Sequence, residues 1–196
     1  MFYIVFIYDI YDITHQIIII FWCNIPFIKE DIQMGLFSSF KKKEIQYNDT
    51  DIIALANADI IPTEEINDPV FSKELLGQTI AFNLQDETIV APCNGVLEVM
   101  YPTGHAFGIR RPDGLGVLVH VGINTVNLNG KGFKLYAKQG ETVKAGQKLI
   151  KVSAEWIRDE GYDLSTMLII TEPLNKDERI QFIDKKHVTR GEIINK

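Results

Sequence analysis

The sequence contains little cysteine and no excess of positive charge. Its two cysteines are Cys23, in an unusual apolar N-terminal stretch, and Cys93, alone in "APCNG". They do not make the disulfide framework of a small secreted domain, so we expect a reducing, cytoplasmic location. The 196 residues have a net charge of −6 and a pI near 5.2. A nucleic-acid-binding protein would have a basic surface, so composition argues against nucleic acid as a partner.

The sequence also lacks an uninterrupted apolar run of membrane-spanning length. A spanning helix needs roughly 20 apolar residues, but the longest clean run, Ile17–Phe27, is shorter and includes Asn24 and Pro26. A signal peptide would begin with positive charge and end in a small-residue cleavage site, and neither is present. We predict that residues 1–33 are a disordered or non-native extension and that Met34 is the initiator. Residues 34–49 would then form a short amphipathic basic leader with at most peripheral membrane contact.

Short β-prone runs fill residues 70–172, among them "GVLEVMY", "GVLVHVGI" and "KLIKV". Turns such as "PDG", "LNGKG" and "KQGET" separate them. This pattern of short strands and turns predicts an all-β protein, an antiparallel sandwich or barrel. Short helical turns are predicted near "FSKELLG" and "SAEWIRDEG". No Walker-type or Rossmann glycine pattern is present, so nothing in the sequence predicts a nucleotide site.

His120 lies in "LGVLVHV", a run with clear two-residue alternation. Val117, Val119 and Val121 should share one face, toward the core, which places His120 and Leu118 on the opposite face.

The same rule applied to "YPTGHAFG" puts Thr103, His105 and Phe107 on one outward face. The intervening "RRPDGLG" is typical of a hairpin, so His105 and His120 are predicted to meet in space. Paired imidazoles suit zinc binding, acid–base catalysis or nucleophilic phosphoryl transfer. No Asp, Glu or Cys stands at an obvious spacing for a third zinc ligand, so no metal is predicted.

Several motifs together resemble one known family. They are "DPVF" followed by a glycine, "TGHA" at residues 103–106, "HVG" from His120, "TVNL" from Thr125, and "GKGF" ending at Phe133. Over residues 50–194 the chain resembles the glucose-type (type 1) enzyme IIA domain of the bacterial phosphoenolpyruvate-dependent sugar phosphotransferase system. We therefore expect this domain to occupy residues 50–196.

The resemblance implies a fold of the barrel-sandwich hybrid type and a phosphotransferase role that needs no cofactor. His120 would accept phosphate from the histidine phosphocarrier protein and pass it to the cysteine of a sugar-specific enzyme IIB, the partner of a IIC permease. His105 would stabilise the phosphoryl group, and Thr103 would orient His105. The resemblance also allows regulated transporters or kinases as further partners.

The resemblance also implies a surface that binds these partners. Its expected residues are Asp68, Val70, Phe71, Phe107 and Leu118. Two positions depart from the family pattern: Gly116 stands where many members have Glu, and Asn124 where Asp is usual. Both departures make the site less acidic and could change its partner preference.

Three other functions remain to be considered. "KQGETVKAGQKLIKV" resembles half of a lipoyl or biotinyl module, but the tight turn with a modifiable lysine is missing. A lysostaphin-type zinc endopeptidase needs an H-x-H element, whereas this chain has His120-Val121-Gly122. A regulatory binding protein of the same fold is compatible with the sequence. The sugar and the particular enzyme IIB are not determined by the sequence.

Overall fold

The computed structural model describes residues 45–176 and 178–196. The predicted extension 1–33 and the leader up to residue 44 lie outside these residues. The packed unit runs from Gln46 to Lys196, and so begins before the expected start at residue 50. Tyr47 belongs to it, because its hydroxyl donates a 2.8 Å hydrogen bond to the Gly191 carbonyl.

The described residues contain eleven strands and two short α-helices, which turns and loops connect. In chain order the strands are β1 Ala58–Ile61, β2 Gln78–Leu84, β3 Thr88–Val90, β4 Gly95–Met100, β5 Ala106–Arg110, β6 Gly116–Val121, β7 Phe133–Leu135, β8 Thr142–Val143, β9 Lys148–Val152, β10 Ser165–Glu172 and β11 His187–Val188. The helices are α1 Pro69–Ser72 and α2 Ala154–Asp159, and 3₁₀ turns cover Thr63–Glu65 and Thr125–Leu128. The predicted all-β class and both predicted helical turns are therefore confirmed.

All strand pairs are antiparallel, and they form two sheets. The larger sheet has eight strands in the order β11-β1-β2-β10-β6-β5-β4-β8, and the smaller has the order β3-β9-β7. The main hydrophobic cluster contains side chains from both sheets, including Leu97, Val119 and Leu168 from the large one and Ile89 and Ile150 from the small one. The core therefore lies between two sheets, as in a sandwich.

The alternation predicted for β6 is confirmed. Val117, Val119 and Val121 are at most 1% exposed and belong to the main core, whereas Leu118 and His120 on the other face are partly exposed. Because β6 lies between β5 and β10 in the sheet, its backbone groups are paired on both sides. His120 is therefore carried by a central strand whose inner face is anchored in the core.

The predicted outward position of Phe107 is wrong. The alternation does not continue through "YPTGH", because β5 begins only at Ala106 and the preceding residues form a turn. Phe107 is 0% exposed, lies opposite Val119 and belongs to the main core. A ring without exposed surface cannot contact a partner, so Phe107 does not belong to a partner-binding surface.

Phe107 should accordingly behave as a core residue. We expect Phe107→Ala to lower the free energy of unfolding by about 3–5 kcal/mol, because it removes a fully buried ring and leaves a cavity. Leu75→Ala, at a side chain that is 67% exposed, should change it by less than about 0.5 kcal/mol. Urea titration of both variants measures the difference. Equal stability of Phe107→Ala and the wild type would contradict the core assignment.

Candidate functional site: a pair of neighbouring histidines

The β5–β6 hairpin brings His105 and His120 together, as predicted. Ala106 is the register partner of His120, and His105 directly precedes Ala106. The Val121 N–H donates a 2.7 Å hydrogen bond to the His105 carbonyl, which extends the pairing by one residue. The two ring centroids are 5.3 Å apart and the ring planes meet at 76°. Two imidazoles at this separation can both contact one small group held between or above them.

A tight turn positions His105. The Thr103 hydroxyl lies 2.5 Å from Nδ1 of His105, so this hydrogen bond orients the ring. Gly104 between them has φ of +72°, and a Cβ atom there would lie 2.9 Å from Cβ of Phe133. Glycine is therefore required both by the left-handed backbone and by the close approach of strand β7.

Tyr101 is a neighbour that the sequence analysis missed. Its ring centroid lies 5.0 Å from that of His105, and 46% of the residue is exposed. The signal in the sequence was an aromatic residue two positions before Thr103, directly after the last residue of β4. It could be recognised only if the turn before β5 had been placed correctly.

The surroundings of His120 are largely apolar. The Phe71 ring lies 5.1 Å from the imidazole, and Phe71 is only 6% exposed. Phe71 belongs to a second hydrophobic cluster, against which Leu118 packs. Nδ1 of His120 is buried and forms no regular hydrogen bond with any described residue. The enclosed nitrogen is therefore Nδ1.

Burial lowers the pKa of both imidazoles. For His120 desolvation is the main cause, and the neighbouring His105 lowers the pKa further. The Gly122 backbone and the Asp68 carboxylate act in the opposite direction and raise the pKa. For His105 desolvation alone lowers the pKa. Both rings are thus favoured in the neutral form at neutral pH.

The turn after β6 fixes the position of His120 along the strand. Gly122 has φ of +76°, and a Cβ atom there would lie 2.5 Å from Cγ2 of Thr125. The buried Thr125 hydroxyl donates a 2.5 Å hydrogen bond to the Val121 carbonyl. The "HVG" and "TV" motifs therefore have a structural role, because they form the turn that ends β6 next to His120.

The residues expected to form the partner-binding surface differ in their exposure. Asp68 caps α1 by accepting a 2.8 Å hydrogen bond from the Val70 N–H. Val70 is 36% exposed, Leu118 is partly buried, and Phe71 is buried against His120. Phe71 thus contacts His120, Asp68 is close enough to act on its pKa, and Leu118 packs against the Phe71 cluster. Val70 adjoins Phe71 on α1, whereas Phe107 lies in the main core.

The Gly116 departure has local consequences. A Cβ atom at Gly116 would lie 2.9 Å from Oγ1 of Thr171 and 3.0 Å from Cβ of Glu172. Glu172 already forms a 2.6 Å ion pair with Arg110 there. A side chain at Gly116 would therefore crowd this ion pair at the start of β6.

Two further observations concern metals and membranes. Among the described residues, no group of three or more His, Cys, Asp or Glu side chains is arranged to hold a metal ion. In the same part of the chain, no helix has the length and apolar character needed to cross a membrane.

The chain is similar to known proteins along most of its length. Residues 50–175 match the family model described as phosphoenolpyruvate-dependent sugar phosphotransferase system, EIIA 1. A glucose-specific EIIA component from Staphylococcus epidermidis is 34% identical over 152 residues, which cover 78% of this chain and 90% of the relative. A glucose-specific EIIA component from Oceanobacillus iheyensis is 32% identical over 153 residues, covering 78% and 92%.

A longer relative and a solved structure agree with these matches. A glucose-specific EIICBA component from Staphylococcus saprophyticus is 35% identical over 149 residues, which are 76% of this chain but 22% of that protein. The structure of glucose permease IIA from Mycoplasma capricolum aligns with a TM-score of 0.70 and 30% identity, covering 74% of this chain and 93% of that one. The family match covers more than half of the chain, and the fold agrees with it. This chain belongs to the EIIA type 1 family of the phosphoenolpyruvate-dependent sugar phosphotransferase system.

Proposed function

We propose that this protein is a phosphoryl carrier that uses His120 as the phosphorylated residue and His105 as its stabilising partner. The observation that carries the proposal is the pair itself: two imidazoles with centroids 5.3 Å apart, both with a lowered pKa. A neutral imidazole is the nucleophilic form, so burial favours the reactive state of His120.

The reacting nitrogen of His120 is proposed to be Nε2, because Nδ1 is enclosed. Nε2 attacks the phosphorus of a phosphohistidine on the donor protein. A new N–P bond forms, the donor N–P bond breaks, and the donor imidazole keeps that electron pair. In the second step an acceptor thiolate attacks the same phosphorus and releases His120 as a neutral imidazole. Both steps depend mainly on in-line positioning and on charge stabilisation.

His105 is proposed to stabilise the phosphoryl oxygens. When the Thr103 hydroxyl donates its hydrogen to Nδ1, the neutral ring of His105 carries its own hydrogen on Nε2. That N–H is then available to donate to a phosphoryl oxygen. Because the site is largely apolar, such a hydrogen bond is stronger than it would be in water.

The proposed donor is the histidine phosphocarrier protein, and the proposed acceptor is the cysteine of an enzyme IIB linked to a IIC permease. A relative named as a glucose-specific EIICBA component supports this acceptor, since its name joins the three parts. Relatives named glucose-specific make glucose the first sugar to test. We place the reaction in the cytoplasm. The exposed Val70 and the partly exposed Leu118 and Asp68 are proposed to contact the partners.

Phosphate uptake tests the nucleophile. We expect the wild type, incubated with phosphoenolpyruvate, enzyme I and the phosphocarrier, to gain one acid-labile phosphate, measured by intact mass. His120→Ala should gain none. His105→Ala should gain phosphate but pass it to enzyme IIB roughly 10²-fold more slowly, because one stabilising donor is lost. Phosphorylation of His120→Ala to the wild-type level would overturn the proposal.

Thr103 can be tested as a positioning residue. Thr103→Val removes the hydroxyl bonded to His105 Nδ1 and should slow transfer to enzyme IIB by roughly tenfold, whereas Thr103→Ser should keep the wild-type rate. Nitrogen-15 NMR should show that the His105 tautomer is mixed in Thr103→Val and single in the wild type. An unchanged tautomer in Thr103→Val would refute the orienting role.

The lowered pKa values predict a dependence of stability on pH. The unfolded chain takes up protons near the ordinary histidine value of 6.5, before the folded chain does. The contribution of these two residues to the free energy of unfolding is therefore full above 6.5 and decreases as the pH falls below it. His120→Asn and His105→Asn should each show a smaller decrease between pH 7 and 5 than the wild type.

Denaturant titration at several pH values gives the comparison, and proton NMR gives both titration midpoints directly. A His120 midpoint at or above 6.5 would contradict the neutral nucleophile.

A further inference from the structure

The small sheet carries a concentration of positive charge. Residues 131–151 contain six lysines and one glutamate, although the whole chain has a net charge of −6. The lysines are Lys131, Lys134, Lys138, Lys144, Lys148 and Lys151. Strands β7 and β9 of the small sheet lie in this segment. The positive charge is therefore concentrated on this part of the chain.

Two of these lysines lie directly opposite each other. Lys134 on β7 is the register partner of Lys151 on β9, and both are exposed. Like charges in this position destabilise a strand pair. Glu87 relieves part of the repulsion through a 3.2 Å ion pair with Lys151. Among the described residues, Lys134 has no ion-pair partner, so a positive charge remains at this pair.

A third lysine and a tyrosine extend the same surface. The Lys148 ammonium lies 3.8 Å from the centroid of the Tyr136 ring, and that of Lys134 lies 5.4 Å from it. Tyr136 is 43% exposed. The pKa of its hydroxyl is lowered, first by contact with Lys148 and then by the charges of Lys134 and Lys151. An electropositive field therefore covers this face of the sheet.

Lys134 and Lys151 line a shallow depression of about 360 Å³. It is lined by Gly132, Phe133, Lys134, Tyr136, Lys151 and Ser153. These residues combine two ammonium groups, the hydroxyls of Tyr136 and Ser153 and the Tyr136 ring. No lining residue is a carboxylate, and Glu87 reaches the depression only through its ion pair with Lys151. A volume of this order is typical of sites for small ligands.

We propose that this depression binds a small phosphate monoester. Lys134 and Lys151 would donate charge-assisted hydrogen bonds to the dianionic phosphate, and Ser153 would add a hydroxyl donor. The organic part of the ligand would lie against Tyr136. Binding an anion between the two lysines would also relieve the repulsion across the strand pair. Ligand binding and sheet stability are therefore coupled.

The proposed site is separate from the histidine pair. Alternation along β7 places Lys134 on the opposite face from Phe133 and Leu135, the two side chains that approach Gly104. The inference therefore goes beyond the proposed carrier function and does not depend on it. Substitution of Lys134 should leave phosphorylation by the phosphocarrier unchanged.

Titration with inorganic phosphate, at constant ionic strength set with chloride, tests the site. We expect saturable NMR shifts confined to amides of residues 132–136 and 148–153, and a phosphate-dependent rise in melting temperature. Lys134→Gln and Lys151→Gln should each weaken phosphate binding by roughly tenfold. Lys144→Gln removes an exposed lysine of the same segment outside the depression and should bind as the wild type does. Glucose 6-phosphate should also shift the Tyr136 ring signals, while glucose alone should not.

Several results would overturn this proposal. One is the absence of shifts with phosphate, and another is an equal response to chloride. Equal losses in Lys144→Gln and Lys134→Gln would show that only diffuse charge is involved. Binding to vesicles of phosphatidylglycerol and phosphatidylcholine, without any response to soluble phosphate esters, would assign the surface to a membrane instead. Circular dichroism of each lysine variant verifies that the fold is retained.

Discussion

The pairing of strands β5 and β6 is the constraint on which the site depends. Ala106 lies opposite His120, so His105 is carried to the same end of the hairpin. A slip of one residue would turn His120 into the core and expose Val119, because alternate residues of a strand face opposite sides. Burial of Val119 opposes this slip of β6, and burial of Phe107 opposes a corresponding slip of β5, since each side chain would leave the main core. The hydrophobic core thus fixes the register, and the register fixes the distance between the two histidines.

Burial of these histidines has a cost and a benefit. Apolar neighbours, above all Phe71, remove water from His120 and lower its pKa, and Nδ1 is left without a regular hydrogen bond to any described residue. An unsatisfied buried polar atom costs free energy. The benefit is a neutral ring, which desolvation and His105 favour and which the Gly122 backbone and Asp68 oppose. Charge that develops on a group bound beside the histidines would then be stabilised mainly by the few hydrogen-bond donors of the site.

The two sheets have different roles. The large sheet carries both histidines on β6 and at the start of β5. The small sheet supports the turn before β5, because Phe133 on β7 occupies the space beside Gly104 where a side chain would otherwise lie. The pleat of β7 then directs Lys134 to the other face, where it meets Lys151. One three-residue strand therefore separates the histidine site from a basic surface.

Sequence patterns were enough to predict the all-β class, the inner face of β6, both short helical turns and the meeting of His105 with His120. These features follow from local alternation, turn residues and a hairpin, all of which act between near neighbours in the chain. The position of Phe107, the contact of Tyr101 with His105 and the burial of Phe71 against His120 depend instead on tertiary packing. Two-residue alternation predicts that neighbouring side chains point to opposite faces of a sheet, but it does not predict the residue at which a strand begins. Contacts between distant segments arise only when the sheets pack, so no local pattern encodes them.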